Sequence, residues 1–168
     1  MKSLIPLVLL LLLVSCAAAP QRIYDAKASS KGSAVFARNV VDRQAVSYFE
    51  GLQGIVIFAV GTQRDMTFKG CVTFLSQKKV IPMNWGAKYR QNSALTRGML
   101  AHMLVNALGI RGGLTIQVFG NSPRYALREC NKLGIIKKGS QNSPVSGREF
   151  LSILRKAEEY AAGNSNKD

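Results

Sequence analysis

The sequence predicts an α+β fold, mainly α-helical, in which two similar strand–helix–loop–helix units pack together. Three observations lead to this prediction. The hexapeptide Gln91–Thr96 recurs in similar form as Gln141–Ser146, fifty residues later. Each copy runs into apolar residues at helical spacing, and a short apolar stretch bounded by glycine opens each half. Because neither half could bury its apolar face alone, the two are expected to pack about a pseudo-twofold axis.

Composition limits the class of protein. The chain has 168 residues, 47% of them hydrophobic, and 23 Lys and Arg against 9 Asp and Glu give a formal net charge of +14. These values exclude a fully disordered, collagenous or multi-pass membrane chain. The excess of base favours an anionic partner such as nucleic acid, anionic lipid or acidic polysaccharide. With 3 Cys and 1 His, neither a metal site nor a cofactor is predicted.

The N-terminus has the layout of a secretory signal. Lys2 precedes the apolar run Leu4–Val14, which is too short to span a bilayer as a helix. The run ends in Leu13-Val14-Ser15-Cys16, which resembles the lipobox of bacterial lipoproteins. That resemblance implies a signal peptide of residues 1–15, acylation of Cys16, and a lipid anchor in a membrane. Ala17, in place of Asp, points to the outer membrane on its periplasmic side; the alternative is an ordinary cleaved signal.

The mature chain is predicted to have three segments. Residues 16–38 are rich in Ala, Ser, Lys and Gly and are predicted to form a flexible tether. Residues 39–162 form the duplicated core, with unit 1 at about 54–110 and unit 2 at about 113–161. Residues 163–168 are predicted to be a disordered tail.

Helix starts can be assigned from capping residues. Asp65 or Thr67 begins the first helix of unit 1, and Ser122, followed by Pro123, begins that of unit 2. The second helices start after N-caps at Thr96 and Ser146, where Glu149 completes a capping box with Ser146. An additional amphipathic helix is predicted at 40–52.

Two short strands complete the predicted units. The segments Gly54–Gly61 and Gly113–Gly120 are strand-length, contain β-branched residues and are bounded by glycine. We therefore expect one strand ahead of the first helix in each unit.

The duplicated segments resemble the surface-layer homology repeat of bacterial envelope proteins. In Lys79–Ala101 and Leu133–Phe150, a helix end and a polar loop lead into an apolar residue, Thr or Ser, and an amphipathic helix. Thr96 and Arg97 match part of that family's Thr-Arg-Ala-Glu signature, whereas Gly147 stands in place of its Arg. The resemblance, over about 67–160, implies repeats with grooves between them that bind cell-wall polysaccharide.

Five residues are predicted to contact such a polymer. Arg97 follows a helix N-cap, where its guanidinium and free backbone N–H groups could chelate a carboxylate or phosphate. The alternative is a solvated surface arginine. The loop 84–90 adds two rings for stacking on sugars and two cations for acidic groups, namely Trp85, Tyr89, Lys88 and Arg90. For Trp85 the alternative is that it fills the gap between the two units.

The remaining reactive residues predict no catalysis. Cys71 and Cys130 lie on the first helix of each unit and are either a disulfide pair or buried free thiols. His102 has no acid within four positions, so we interpret it as a buried or boundary residue rather than a general base. The sequence contains no His-Glu-x-x-His, Gly-x-Ser-x-Gly or Cys-x-x-Cys motif and no glycine-rich phosphate loop.

The sequence thus predicts a non-enzymatic envelope lipoprotein that binds an anionic cell-wall polysaccharide or peptidoglycan-associated polymer. The alternative is a structural or docking subunit of an outer-membrane or secretion assembly. Nucleic acid is not an expected partner, because a lipid-anchored envelope protein does not meet chromosomal DNA. One basic face is predicted from Lys78, Lys79, Lys88, Arg90, Arg111, Arg124, Arg128, Lys132, Lys137 and Lys138.

Overall fold

The computed structural model describes residues 31–61, 66–112 and 120–165. Within these ranges the helices are α1 (Lys31–Val40), α2 (Tyr48–Val60), α3 (Phe68–Gln77), α4 (Trp85–Lys88), α5 (Arg97–Ala107), α6 (Pro123–Lys132) and α7 (Gly147–Ser165). In chain order they fall into three helix–loop–helix units, which we call hairpins: α1 with α2 is hairpin 1, α3 with α5 is hairpin 2, and α6 with α7 is hairpin 3. The most extensive helix packing is between units, with α5 on α6 and α2 on α3. The short α4 lies in the loop of hairpin 2. None of the described helices combines the length and apolar character needed to cross a membrane.

The predicted α+β class is wrong, because the described residues contain helices and two isolated β-bridges but no strand. The segment Gly54–Gly61, predicted as a strand, is the second half of α2 and its left-handed C-cap, Gly61. Its apolar residues are buried around almost the whole helix circumference, from Ile55 to Ala59. A helix that is apolar all round belongs in a core, and tertiary burial there overrides β-propensity. The second predicted strand, Gly113–Gly120, lies outside the described residues except for Gly120.

The N-terminal part of the core also differs from prediction. The helix predicted at 40–52 is wrong, since α1 ends at Val40 and α2 begins at Tyr48. Ser47 sets that start through a capping box: its Oγ accepts from Glu50 N–H at 3.2 Å, and its N–H donates to the Glu50 carboxylate at 2.8 Å. Helix α1 occupies the end of the predicted tether because Phe36 and Val40, one turn apart, are both buried.

The four predicted helix starts of the two units are confirmed. Thr67 and Ser122 accept from the backbone N–H three residues on, at 3.2 and 3.4 Å. Thr96 and Ser146 do the same, each at 3.3 Å. Helix α7 continues to Ser165, into the predicted tail.

A closed ring of three backbone hydrogen bonds joins the hairpins. Val46 N–H donates to Val145 O at 2.8 Å, Val145 N–H to Leu95 O at 2.9 Å, and Leu95 N–H to Val46 O at 2.8 Å. Each of these residues comes two positions before the second helix of its hairpin. We call this feature the backbone ring; it indicates a pseudo-threefold arrangement. The described core therefore has three units rather than two, because Val46-Ser47 corresponds to Leu95-Thr96 and Val145-Ser146.

The start of each second helix is satisfied by the loop of another hairpin. The first N–H of α2 donates to Ser93 O at 2.6 Å, that of α5 to Ser143 O at 3.0 Å, and that of α7 to Arg43 O at 2.8 Å. Helix N-termini otherwise carry unpaired donors, so these contacts hold the hairpins in register.

Candidate ligand groove between hairpins 2 and 3

Trp85 lies inside the core rather than on the surface. It is 5% exposed, and its ring centroid lies 5.4 Å from that of Tyr89, 6.5 Å from that of Tyr48 and 4.8 Å from that of His102. Tyr48 belongs to hairpin 1 and His102 to hairpin 2. The tryptophan is therefore buried where hairpins 1 and 2 meet, and its ring does not face solvent. The alternative interpretation also expected a buried ring, but in the gap between the predicted units 54–110 and 113–161, and none of these three ring contacts comes from 113–161.

Arg97 connects hairpin 2 to hairpin 3. Its Nε lies 2.8 Å from Oε1 of Glu149, and both side chains are about one-quarter exposed. Its guanidinium lies against Gly139, where a Cβ would overlap it. The N–H groups of Arg97 and Gly98 donate to carbonyl oxygens of the loop before α7. Helix α5 thus has no open N–H at these positions, and Arg97 is placed for inter-hairpin contact rather than anion chelation.

The other predicted contact residues lie nearer the surface. Lys88 and Arg90 are exposed, and Tyr89 is half-buried. Lys88 Nζ lies 5.3 Å from the centroid of the Tyr89 ring, at cation–π distance. Tyr89, one of the five predicted residues, lines a groove between hairpins 2 and 3.

That groove has a volume of about 390 Å³ and lies between hairpins 2 and 3. Small-molecule sites commonly fall between about 300 and 1,000 Å³, so the groove can hold a ligand of modest size. Hairpin 2 supplies one side of it and hairpin 3 the other; the lining includes Tyr89, Thr96, Met99, Arg124, Gln141 and Asn142.

Local structure positions the two polar walls of the groove. On one side, the Ser122 cap and Pro123 start α6 and place Arg124 in its first turn. On the other side, the Gln141 carbonyl accepts from Gly98 N–H at 2.9 Å, which fixes the loop against α5. The groove therefore combines one exposed cation with side-chain amides and hydroxyls.

Arg124 was assigned to a basic face by the sequence but not to the site. The signal that the sequence analysis missed is a difference between two equivalent helix starts, which the pseudo-threefold arrangement brings out. Between hairpins 1 and 2, Thr67-Phe68-Lys69 occupies the place of Ser122-Pro123-Arg124. There the ring of Phe68 packs on Tyr48 and Phe49, with centroids 5.9 and 6.0 Å apart. Pro123 presents a smaller side chain at the corresponding place in the groove.

A partly buried polar network lies at Asn121, the residue before the Ser122 cap that lines the groove. Asn121 Nδ2 donates to Asn106 Oδ1 at 2.6 Å, and Asn106 Nδ2 donates to Val80 O at 2.9 Å. The same amide nitrogen lies 3.1 Å from Nε2 of His102, which must therefore be the acceptor. Burial lowers the pKa of His102 to about 4, against a smaller opposing contribution from the Asn121 backbone. His102 is thus a neutral, structural residue that helps join α5 to the start of α6.

Cys71 and Cys130 are free, buried thiols, so the disulfide alternative is wrong in this structure. Cys130 Sγ donates to Ala101 O at 3.9 Å. Burial raises the pKa of Cys71 to about 11 and that of Cys130 to about 12. Both side chains behave as small apolar residues, since the reactive thiolate form is suppressed.

Over the ranges that the structure describes, no group of His, Cys, Asp and Glu is arranged to hold a metal ion. Comparison with protein-family models, curated proteins and solved structures found no match to this chain. Cys16, the cysteine of the predicted lipobox, lies outside the described residues, so its acylation stays a prediction.

Proposed function

We propose that this protein is a non-enzymatic, lipid-anchored protein of the bacterial cell envelope that binds an anionic cell-wall polysaccharide in the groove between hairpins 2 and 3. The groove is the observation that carries the proposal. Amide and hydroxyl side chains pair with sugar hydroxyls, and Arg124 can meet an acidic substituent. The resemblance of the units to surface-layer homology repeats supports the same ligand class, as does the net charge of +14.

The proposed anchor is the acylated Cys16, on the periplasmic side of the outer membrane. Two or three acyl chains hold a protein stably on a bilayer. Mass spectrometry of the membrane-bound protein tests the anchor directly. We expect a mature N-terminus at an acylated Cys16; any other N-terminus contradicts the lipoprotein assignment.

Sedimentation with purified cell-wall sacculi tests ligand binding. The full chain, kept soluble in neutral detergent, is expected to sediment with sacculi at low salt. Arg124→Gln and Asn142→Ala should each reduce the bound fraction, because both residues line the groove. Arg38→Gln is the matched control, since it removes the same charge from an exposed position on α1.

Two results contradict the proposal. One is the absence of sedimentation at low salt, and the other is an Arg124→Gln variant that binds as well as Arg38→Gln. Retention of the protein in a detergent-stable complex after wall digestion would instead support a docking subunit of an envelope assembly.

A further inference from the structure

Helix α6 presents a row of cations that begins in the groove. Arg124, Arg128 and Lys132 are spaced four residues apart and therefore share one face of the helix. All three side chains are exposed. The opposite face packs on α5 and buries Ala126, Leu127 and Cys130. We call the three cations the basic row.

Within the part of the chain that the structure describes, the basic row is largely unneutralised. Glu129 is the only Asp or Glu in the sequence between residues 66 and 148. It lies 3.1 Å from Lys132 Nζ, at the far end of the row. Among the described residues, no ion pair involves Arg124 or Arg128. Glu149 pairs with Arg97 and Glu159 with Arg155, so these two carboxylates do not neutralise the row.

Further cations follow the C-terminal end of α6. Lys156 of α7 donates to Gly134 O at 3.4 Å, two residues beyond the helix end. Lys137 and Lys138 then follow in the chain, and both are exposed. The loop between α6 and α7 therefore adds exposed positive charge after the end of the row.

The dimensions of the row suit a linear ligand. A helix rises about 1.5 Å per residue, so cations four residues apart are separated by about 6 Å along the axis and the whole row spans about 12 Å. A single anion can occupy one end of such a row only. A chain with a charge on successive units can occupy all of it.

We propose that the basic row binds the part of an anionic polysaccharide that extends out of the groove, so that the protein prefers long chains to short ones. This inference rests on the proposed function and adds to it that the ligand is a long anionic chain that runs from the groove along α6. A polymer fits better than a bilayer surface, because Arg124 lies in the wall of a concave groove that a flat bilayer surface does not enter.

Titration with acidic oligosaccharides of defined length tests the basic row. The probes are oligogalacturonates of two and eight units, added to the full chain in neutral detergent at low salt. We expect the octamer to bind at least ten-fold more tightly than the dimer. Each exposed ion pair contributes up to about 1 kcal/mol, or about five-fold in affinity.

Arg128→Gln separates the contribution of the basic row to affinity from that of the groove, since Arg128 does not line the groove. This variant should lose about two- to five-fold in octamer affinity, bind the dimer as the wild type does, and show a weaker dependence of octamer affinity on salt. Arg38→Gln, which removes the same charge from α1, should leave both affinities unchanged.

Three outcomes overturn the inference. Equal affinities for dimer and octamer would do so, as would octamer binding by Arg128→Gln equal to that of Arg38→Gln. So would binding to phosphatidylglycerol vesicles that depends on Arg128 while octamer binding does not, since this would assign the row to a membrane. If sacculi are still bound in an Arg124-dependent way, these results leave the proposed function intact; loss of sacculus binding is the separate failure of that function.

Discussion

At the scale of single residues, glycine positions show where backbones meet. A Cβ at Gly147 would overlap the carbonyl oxygen of Val40, at the end of α1. This explains why glycine stands at the start of α7, at the position that Arg97 occupies at the start of α5. The glycine is therefore a packing requirement of hairpin 1 against hairpin 3.

Gly147→Ala is expected to destabilise the protein by about 2–4 kcal/mol, since backbone atoms on α1 must move to admit the methyl group. Gly163→Ala, also in α7, is the matched control because a Cβ at that position would have no neighbouring atom within 4 Å. That control should be neutral or stabilising by up to about 1 kcal/mol. Urea unfolding of both variants measures the difference, and similar stabilities would contradict the close contact.

His102 makes the free energy of unfolding depend on pH. Its pKa is about 4 in the folded protein, below the ordinary value of 6.5, because burial disfavours the charged ring. Protonation therefore favours the unfolded chain. The contribution of the neutral ring is complete above pH 6.5 and is lost as the pH falls toward 4, by about 3 kcal/mol in total.

His102→Gln should remove most of this acid sensitivity, because glutamine keeps a hydrogen-bonding side chain that does not titrate in this range. The measurement is the free energy of unfolding in urea at pH 7 and at pH 4.5. We expect the wild type to lose more stability between these values than His102→Gln. Equal losses would contradict a buried, neutral His102.

Residue-level predictions succeeded where the interaction is local. A cap joins a side chain to a backbone N–H three residues away, so Thr96 and Ser122 could be assigned from the sequence alone. The state of Cys71 and Cys130 could not, because it depends on the distance between two helices. The capping box at Ser146 was half right: Ser146 accepts from Glu149 N–H, but the Glu149 carboxylate pairs with Arg97 on another hairpin.

At the scale of elements, burial decided the structure of the segment from Gly54 to Gly61. Its β-branched residues and flanking glycines favour a strand, but the capping box at Ser47 starts a helix that runs through it. Local sequence patterns do not show that both faces of this segment will be covered. Gly54 allows close packing, since a Cβ there would lie 2.5 Å from the Phe150 ring.

The ion pair between Arg97 and Glu149 links α5 to α7, and its strength can be measured by a double-mutant cycle. Both groups are partly buried and about 2.8 Å apart, so Arg97→Gln, Glu149→Gln and the double variant should give a coupling energy of about 1–2 kcal/mol. Arg155 and Glu159, an exposed pair within α7, provide the control cycle, with an expected coupling below about 0.5 kcal/mol. A coupling near zero for the first pair would contradict an inter-hairpin role for Arg97.

At the scale of the whole molecule, the sequence shows two of the three units, because the third is equivalent in backbone structure and not in sequence. Hairpins 2 and 3 share the Gln-Asn-Ser loop sequence, which hairpin 1 lacks. The structural equivalence of Val46 is carried by backbone hydrogen bonds, which any residue can make. The groove was missed for a related reason, since its walls come from separate hairpins and meet only in the assembled fold.

The arrangement of the three hairpins also brings the residues of the proposed binding surface together from hairpins 2 and 3. Hairpin 3 supplies Arg124, the basic row and the loop at Gln141, while hairpin 2 supplies Tyr89 and Thr96. Of the six Asp and Glu residues of the described core, two lie on hairpin 1, none on hairpin 2, one on α6 and three on α7, namely Asp42, Glu50, Glu129, Glu149, Glu158 and Glu159. An anionic polymer is therefore expected to meet the groove walls and the N-terminal part of α6.

The most direct test of the groove is chemical-shift mapping by NMR, with the isotope-labelled full chain and size-fractionated polysaccharide released from sacculi. We predict that the largest amide shifts fall on both walls of the groove, at Thr96, Arg124, Gln141 and Asn142, and that residues of α1 stay unchanged. Shifts confined to another surface, or none at saturating polysaccharide, would contradict the groove as the ligand site.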